Sequence, residues 1–226
     1  MTPVLPLAGR IVVIDPGHQL GNFTHSRQIA RKVNAGGLVK PCNTTGTATR
    51  SGYRESAFTM SVANHLKARL TAQGATVHLT RSRESTRLWG PCVDVRGRFA
   101  NKVHADLLVS IHADGTAERF RGFFVIRPAY KKGLTDDIYR TSGVLARHLR
   151  GGLDKTAVKR ANYLGGDGLD TRRDMGTLNL SNAPAVMVEL GNMKNAGDAR
   201  RMRSARQRDT VYAAGLARGV TSFLTR

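Results

Sequence analysis

The chain has 226 residues, of which 40% are hydrophobic and 23% are charged. This length supports one sizeable hydrophobic core and is short for two, so we predict one domain over residues 1–226. The formal net charge is +20, from 36 Lys and Arg against 16 Asp and Glu. That excess attracts anionic polymers at long range. No nucleic-acid recognition motif accompanies it, so we expect no nucleic acid as a partner.

Membrane and export signals are missing from the sequence as given. No segment approaches the roughly 18 consecutive apolar residues that cross a bilayer, so we expect no transmembrane segment. The first residues, Met1 to Leu7, lack the charged and apolar regions of a signal peptide. If the protein is exported, we expect its signal to have been removed from this chain. All sustained apolar stripes are assigned to the core, so we expect a monomer.

The first predicted strand covers residues 10–15 (RIVVID), a β-branched apolar run that stops at a Pro-Gly turn. His18 follows that turn. Residues 19–54 are rich in Gly, Asn, Thr and Ser and have no clear period, which predicts a long loop. Glu55 ends the loop and opens a helix over residues 55–72, where apolar side chains recur every fourth position.

The rest of the chain alternates between strands and helices. Predicted strands cover residues 76–80, 107–111, 122–126 and 185–190. Predicted helices cover residues 93–103, 136–150 and 206–224. This alternation predicts an α/β fold with a mostly parallel twisted sheet and helices on both faces.

Metal-ligand side chains stand at three element ends. His18 follows the first strand, Glu55 opens a helix and His112 directly follows the strand over residues 107–111. Because functional groups gather at the carboxyl ends of strands in an open α/β sheet, these three side chains can converge. A His, Glu, His set is a ligand pattern of catalytic Zn²⁺. Glu189 ends the strand over residues 185–190 at the same edge, where it is a candidate general base.

Each of these residues also has an ordinary structural interpretation, and spacing does not decide between the two. Asp15 is expected to hold turn amides rather than to contact a metal. The remaining histidines have no strand-end placement and are assigned to surface or packing roles: His25, His65, His78, His104 and His148. Two rival functions stay open at this point. One is a cationic binding module with structural histidines, and the other is a metallopeptidase that uses the same metal chemistry on another substrate.

The cysteines, Cys42 and Cys92, are too few and too far apart for a cysteine-based zinc site. In an oxidising compartment they would form a disulfide that stabilises the fold by about 4 kcal/mol, and in the cytosol they would be ordinary thiols. We favour the disulfide, because Cys42 lies in a loop that otherwise has little to hold it.

Several motifs resemble those of the zinc-dependent N-acetylmuramoyl-L-alanine amidases. The shared motifs are IDPGH at 14–18, the acidic Glu55, LTR at 79–81, Arg96 with Ala100-Asn101, SIHAD at 110–114 and VELGNMKN at 188–195. Their order and spacing match over nearly the whole chain. The stretches SGYRES, GPCVDVR, NYLGGDGL and LGNMKN resemble the mycobacterial type in particular, including its cysteine pair.

The resemblance implies that His18, Glu55 and His112 bind Zn²⁺ and that Glu189 is the catalytic glutamate. It implies a substrate, peptidoglycan or its muropeptide fragments, and an exported protein that acts in the periplasm or cell wall. No separate wall-binding domain fits in the chain, so the positive charge is expected to attract anionic wall polymers instead. Three residues depart from the pattern of many relatives, and they put the substrate contacts in doubt: Gln19, Asp114 and Asn192.

Overall fold

A computed structural model describes residues 5–226. Residues 1–4, part of the Met1 to Leu7 stretch considered for a signal peptide, lie outside the described residues. The strands are β1 (Ile11–Pro16), β2 (Lys32–Asn34), β3 (Val39–Pro41), β4 (Thr76–Leu79), β5 (Leu107–Asp114), β6 (Phe124–Pro128), β7 (Leu169–Arg172) and β8 (Ala185–Asn192). The helices are α1 (Ser26–Ala30), α2 (Glu55–Thr71), α3 (Val93–Lys102), α4 (Tyr139–Asp154), α5 (Gly176–Asn179), α6 (Ala196–Arg203), α7 (Ala205–Gln207) and α8 (Ala214–Leu224).

Six strands form the central sheet in the order β4-β1-β5-β8-β6-β7. The neighbouring strands β4, β1, β5 and β8 are parallel to one another. Strand β6 is antiparallel to β8, and β7 is parallel to β6. The predicted fold class, a mostly parallel α/β sheet, is therefore confirmed. Because β1, β5 and β8 are adjacent and parallel, their carboxyl ends meet at one edge of the sheet.

Helices cover both faces of the sheet. Val12 and Ile14 of β1 join the larger core, which α2, α4 and α8 cover, whereas Val13 joins the smaller core on the other face. The smaller core includes Ala100 of α3 and Leu178 of α5. This alternation follows from the two-residue period of a strand that is buried on both faces. No helix among residues 5–226 has the length and apolar character needed to span a membrane.

Several predicted elements differ from the structure. The segment 19–54 is not a featureless loop, because it contains a 3₁₀ turn (Leu20–Phe23), α1 and the hairpin of β2 and β3. The closing helix is divided by a π-helical segment (Arg208–Ala213) between α7 and α8. Strand β7 and helices α5 and α6 were not predicted. These short elements lack the regular spacing of apolar residues on which the prediction depends.

Cys42 and Cys92 are joined by a disulfide across 50 residues of sequence. Cys42 directly follows β3, and Cys92 is the N-cap of α3. The covalent bond therefore ties the hairpin segment to α3 on the side of the sheet where β1 ends.

Candidate metal and catalytic site

His18 lies two residues past β1 in an uncommon backbone conformation. Its φ is +59°, in the left-handed region that non-glycine residues enter mainly when their surroundings hold them there. Its Nδ1 is 3.0 Å from the carbonyl oxygen of Thr44. Because a carbonyl only accepts, Nδ1 carries the proton and donates, which leaves the lone pair of Nε2 free to bind a metal.

Glu55 is the first residue of α2, and its carboxylate lies between two imidazole rings. Oε1 is 3.1 Å from Nε2 of His18 and 3.1 Å from Nδ1 of His112. Backbone amides orient both oxygens, since Thr47 N donates to Oε2 at 2.9 Å and Ala113 N donates to Oε1 at 3.1 Å. The helix N-terminus also favours a negative charge at this position. The carboxylate is therefore fixed before any ligand arrives.

His112 lies inside β5 rather than after it, which corrects the predicted strand end. The strand continues because β5 still pairs with β8 at this position and reaches Asp114 after an irregularity in register. The rings of His18 and His112 meet edge to face with centroids 4.9 Å apart. One ligand atom from each of His18, Glu55 and His112 lies within 4.8 Å of the other two. The fold thus brings the three predicted residues together.

Electrostatics divides the protons within this cluster. Burial raises the pKa of Glu55, but His18 and His112 outweigh burial and bring the pKa below its usual range. Burial lowers the pKa of His112. Burial also acts to lower the pKa of His18, but the adjacent Glu55 carboxylate outweighs burial and raises it. A metal cation bound here would compete with protons for the same nitrogen and oxygen atoms.

Glu189 lies opposite His112 in the pairing of β5 with β8, three residues before the end of β8 rather than at the strand end as predicted. Burial raises its pKa well above the ordinary value, and the charges of Glu55 and Asp114 add to the shift. Its Oε2 is buried and has no hydrogen-bond partner among residues 5–226. A buried carboxylate oxygen of this kind is suited to hold or move a proton.

A cavity of about 370 Å³ contains all four predicted residues. Its remaining walls come from the segment 40–47, the start of α3, the end of β5 and the start of α5. The lining side chains include Lys40, Thr44, Thr47, Val93, Asp114, Met175, Thr177 and Met187. A concave site with few polar groups converging on one point is typical of a small-molecule or substrate site.

Asp15 anchors the base of the site, although not through turn amides as predicted. It is fully buried and accepts hydrogen bonds from Thr80 Oγ1 at 2.5 Å and Ser110 Oγ at 2.6 Å. It also forms an ion pair with Arg96 at 2.5 Å. Burial raises the pKa of Asp15, but Arg96 and the two hydroxyls outweigh burial and hold it below its ordinary value of 3.8.

Two buried arginines hold the turn that carries His18, and sequence reasoning assigned them no role. Arg96 donates to the carbonyl oxygens of Pro16 and His18, and Arg81 donates to those of Pro16 and Gly17. A signal for Arg96 existed, because it stands four residues before Ala100 on the buried face of α3. A charged residue on an apolar face requires buried partners.

The three departures from the family pattern each order a segment near the cavity. Gln19 accepts from Ser85 N and donates to the carbonyl oxygen of Arg83. Asp114 accepts from Tyr163 Oη at 2.8 Å. Asn192 donates to three carbonyl oxygens of the segment 116–120 that follows β5. These residues shape the surroundings of the site and leave the His18, Glu55 and His112 cluster intact.

The five other histidines stand outside the cluster. His25 contacts the carbonyl oxygen of Gly21, and His148 contacts the hydroxyl of Ser222. Among residues 5–226, the cluster that can hold a metal through three His, Cys, Asp or Glu side chains is His18, Glu55 and His112.

The fold and the site are those of an α/β protein with a candidate metal centre. Its sequence matches the N-acetylmuramoyl-L-alanine amidase family Amidase_3 over residues 12–222. The match covers nearly the whole chain. The chain therefore belongs to this family and is an N-acetylmuramoyl-L-alanine amidase.

Individual relatives agree with the family assignment. The chain is 41% identical over 220 residues to the N-acetylmuramoyl-L-alanine amidase Rv3717 of Mycobacterium tuberculosis, covering 96% of this chain and 88% of that protein. The crystal structure of the amidase Ami1 from Mycobacterium smegmatis superposes with a TM-score of 0.89 at 38% identity, over 96% of this chain and 98% of the other. The crystal structure of apo Ami1 from Mycobacterium abscessus superposes with a TM-score of 0.89 at 36% identity, over 96% of this chain and 100% of the other. The resemblance to the mycobacterial type is confirmed.

Gly17 is required by the close approach of His112, and its replacement tests the geometry of the cluster. A Cβ at position 17 would lie 2.4 Å from the His112 ring. If the cluster holds a metal ion, we expect Gly17→Ala to weaken binding of Zn²⁺, used as the probe, by roughly 10-fold or more, since displaced supports of a ligand typically cost that much. Zinc affinity is measured by competition with a chromophoric chelator. Gly151→Ala is the control, because its Cβ meets no atom within 4 Å, and native affinity in Gly17→Ala would contradict the geometry.

Asp15 makes stability depend on pH in a predictable direction. Because its folded pKa lies below the ordinary 3.8, its contribution is complete above that value and is lost as pH falls below it. We expect Asp15→Asn to lower the free energy of unfolding by about 3–5 kcal/mol at pH 7, since the substitution leaves Arg96 buried without a counter-charge. In urea unfolding, the difference in the free energy of unfolding between the native protein and the variant should shrink at acid pH. A difference that stays constant down to acid pH would refute the charge assigned to Asp15.

Proposed function

We propose that this amidase is a zinc metallohydrolase that cleaves the amide bond between N-acetylmuramic acid and L-alanine in peptidoglycan or its muropeptides. The observation that carries the proposal is the convergence of His18, Glu55 and His112 on one point of a cavity that also contains Glu189. The family and the named activity of the relatives support the choice of bond. We propose that residues 1–226 form one catalytic domain.

The donor set fits zinc. Two imidazole nitrogens and one carboxylate oxygen are a recognised three-ligand set for catalytic zinc, which keeps a further position open. His18 Nε2, Glu55 Oε1 and His112 Nδ1 would hold the ion. The chemistry that zinc supplies when bound is polarisation of a carbonyl oxygen and activation of water at neutral pH.

Glu189 is proposed as the general base and then the general acid. Its carboxylate takes a proton from the water that attacks the amide carbonyl carbon, and later gives that proton to the L-alanine nitrogen as the C–N bond breaks. The products are a carboxylate on the muramic acid and a free amino group on the peptide. The raised pKa of Glu189 supports this role, because a base works best when its pKa approaches the working pH.

Replacement of Glu189 separates the base from the metal ligands. We expect Glu189→Gln to retain zinc but to lose at least roughly 100-fold in kcat, the ordinary contribution of a general base. Peptide release from purified muropeptide is followed by mass spectrometry, with zinc content measured on the same samples. His112→Ala is the companion variant, and it should lose both zinc and cleavage.

Either of two results would contradict this assignment. A zinc-loaded Glu189→Gln with native kcat would remove Glu189 from the chemistry. A folded, zinc-loaded native chain that released no peptide between muramic acid and L-alanine would move the proposal to another amide substrate, including the metallopeptidase alternative.

The setting that we propose is the periplasm or cell wall, as for an exported protein. The disulfide supports an oxidising compartment, and the substrate of an amidase of this family lies in the wall.

The net charge of +20 supports a further contact with anionic wall polymers through long-range attraction. Binding to insoluble wall should then weaken as salt is added, and binding that is independent of salt would exclude this contact. A monomer remains our prediction.

A further inference from the structure

Arg96 is only 2% exposed and uses every donor of its guanidinium group. An arginine side chain has five N–H donors, and Arg96 makes five hydrogen bonds. Nε donates to Pro91 O at 2.9 Å, Nη1 to Asp15 Oδ1 at 2.5 Å and Pro16 O at 2.7 Å, and Nη2 to His18 O at 2.8 Å and Gly90 O at 3.0 Å. A side chain with this number of buried partners is held in one orientation.

The acceptors of Arg96 belong to two segments that are far apart in sequence. Asp15, Pro16 and His18 form the end of β1 and its turn, whereas Gly90 and Pro91 lie just before α3. Arg96 therefore joins α3 to the turn that carries His18. The Asp15 carboxylate fixes one end of the guanidinium group, and its other end reaches the His18 carbonyl.

The backbone of His18 requires such support. A φ of +59° costs free energy for a residue with a Cβ and persists only where neighbouring groups hold it. A hydrogen bond to the His18 carbonyl restricts ψ and so restricts the plane of the following peptide. On the other side, Thr44 O accepts from the ring Nδ1 at 3.0 Å. The backbone and the ring of His18 are thus held by two different segments.

The disulfide connects these two supports. Cys42 precedes Thr44 by two residues, and Cys92 precedes Arg96 by four. Val93 N also donates to the carbonyl oxygen of Cys42, so the two segments are hydrogen-bonded where they are covalently joined. His18 is consequently enclosed by one cross-linked unit, with Arg96 on its carbonyl and Thr44 on its ring.

We propose that Arg96 is a positioning residue that holds the metal ligand His18 in its strained conformation and thereby sets the affinity of the site for zinc. This inference rests on the proposed function, because it takes His18 as a zinc ligand. Lysine cannot replace arginine here, since an ammonium group has three donors and lacks the planar fork that reaches Asp15 and the His18 carbonyl together.

The test measures the zinc dissociation constant of folded, metal-free protein by competition with a chromophoric chelator. Arg96→Lys keeps a cation beside Asp15 and should raise the dissociation constant roughly 10- to 100-fold, as expected when a support of a metal ligand is lost. Leu216→Ala is the matched control, because it removes a fully buried core side chain of α8, far along the chain from the site. It should lower stability and leave zinc affinity native.

A second variant covers the case in which Arg96→Lys does not fold. In Arg96→Ala, added methylguanidinium should restore zinc affinity and methylammonium should not, because only the former reproduces the planar donors. The absorption spectrum of the Co²⁺-substituted protein should change in Arg96→Lys, which a loss of stability elsewhere would not produce.

Native zinc affinity in folded Arg96→Lys would overturn the proposal. So would an equal loss of affinity in Leu216→Ala, which would reduce Arg96 to an ordinary stabilising residue, or a failure of methylguanidinium to rescue Arg96→Ala. A native chain that bound no zinc would instead overturn the proposed function, and this inference with it. The two failures are therefore distinguishable.

Discussion

The carboxylate of Glu55, fixed between two imidazole rings, is the interaction on which the site depends. It brings His18 and His112, which lie 94 residues apart in the sequence, to within 3.1 Å of one oxygen atom. The parallel arrangement of β1 and β5 makes this possible, because the two strands deliver their histidines to the same edge of the sheet. The first turn of α2 then supplies the carboxylate. The turn after β1, the start of α2 and β5 each contribute one candidate ligand atom.

The pKa values of the two glutamates in this cavity are shifted in opposite directions because their surroundings differ. Glu55 accepts hydrogen bonds from backbone amides and lies against two imidazoles, so its pKa falls. Glu189 has a buried Oε2 without a hydrogen-bond partner within the described chain, so burial raises its pKa, and the nearby charges of Glu55 and Asp114 raise it further. Environments that separate the pKa values of neighbouring carboxyl groups are typical of sites that divide ligand and acid–base roles. These opposite shifts agree with the proposed roles, Glu55 as a metal ligand and Glu189 as the group that transfers a proton.

The sequence predicted the elements that are long and apolar. The cores of β1, β5 and β8 are unbroken apolar runs, and α2 has a regular buried face. Hydrophobic pattern did not predict β7, whose residues Leu169–Arg172 are mostly polar because this strand lies at the sheet edge. It also missed the short elements between residues 19 and 54, since three-residue strands carry no measurable period.

The same contrast holds within the site. The residues of the cluster could be chosen from local pattern alone, although His112 and Glu189 lie inside their strands rather than at the predicted strand ends. The hydrogen bonds of Asp15 and Arg96 could not be predicted in this way, because they join β1, β5, α3 and the residue after β4, and such contacts exist only once the sheet has formed. Local pattern identified the candidate site residues, whereas the hydrogen bonds around them depend on tertiary structure.

Anomalous X-ray scattering would show whether the edge shared by β1 and β5 holds the proposed zinc ion. Crystals grown with Zn²⁺ should be measured on both sides of the zinc absorption edge. One strong anomalous peak is expected among His18 Nε2, Glu55 Oε1 and His112 Nδ1. A fully occupied zinc elsewhere, with no peak among these three atoms, would show that this cluster is not the zinc site.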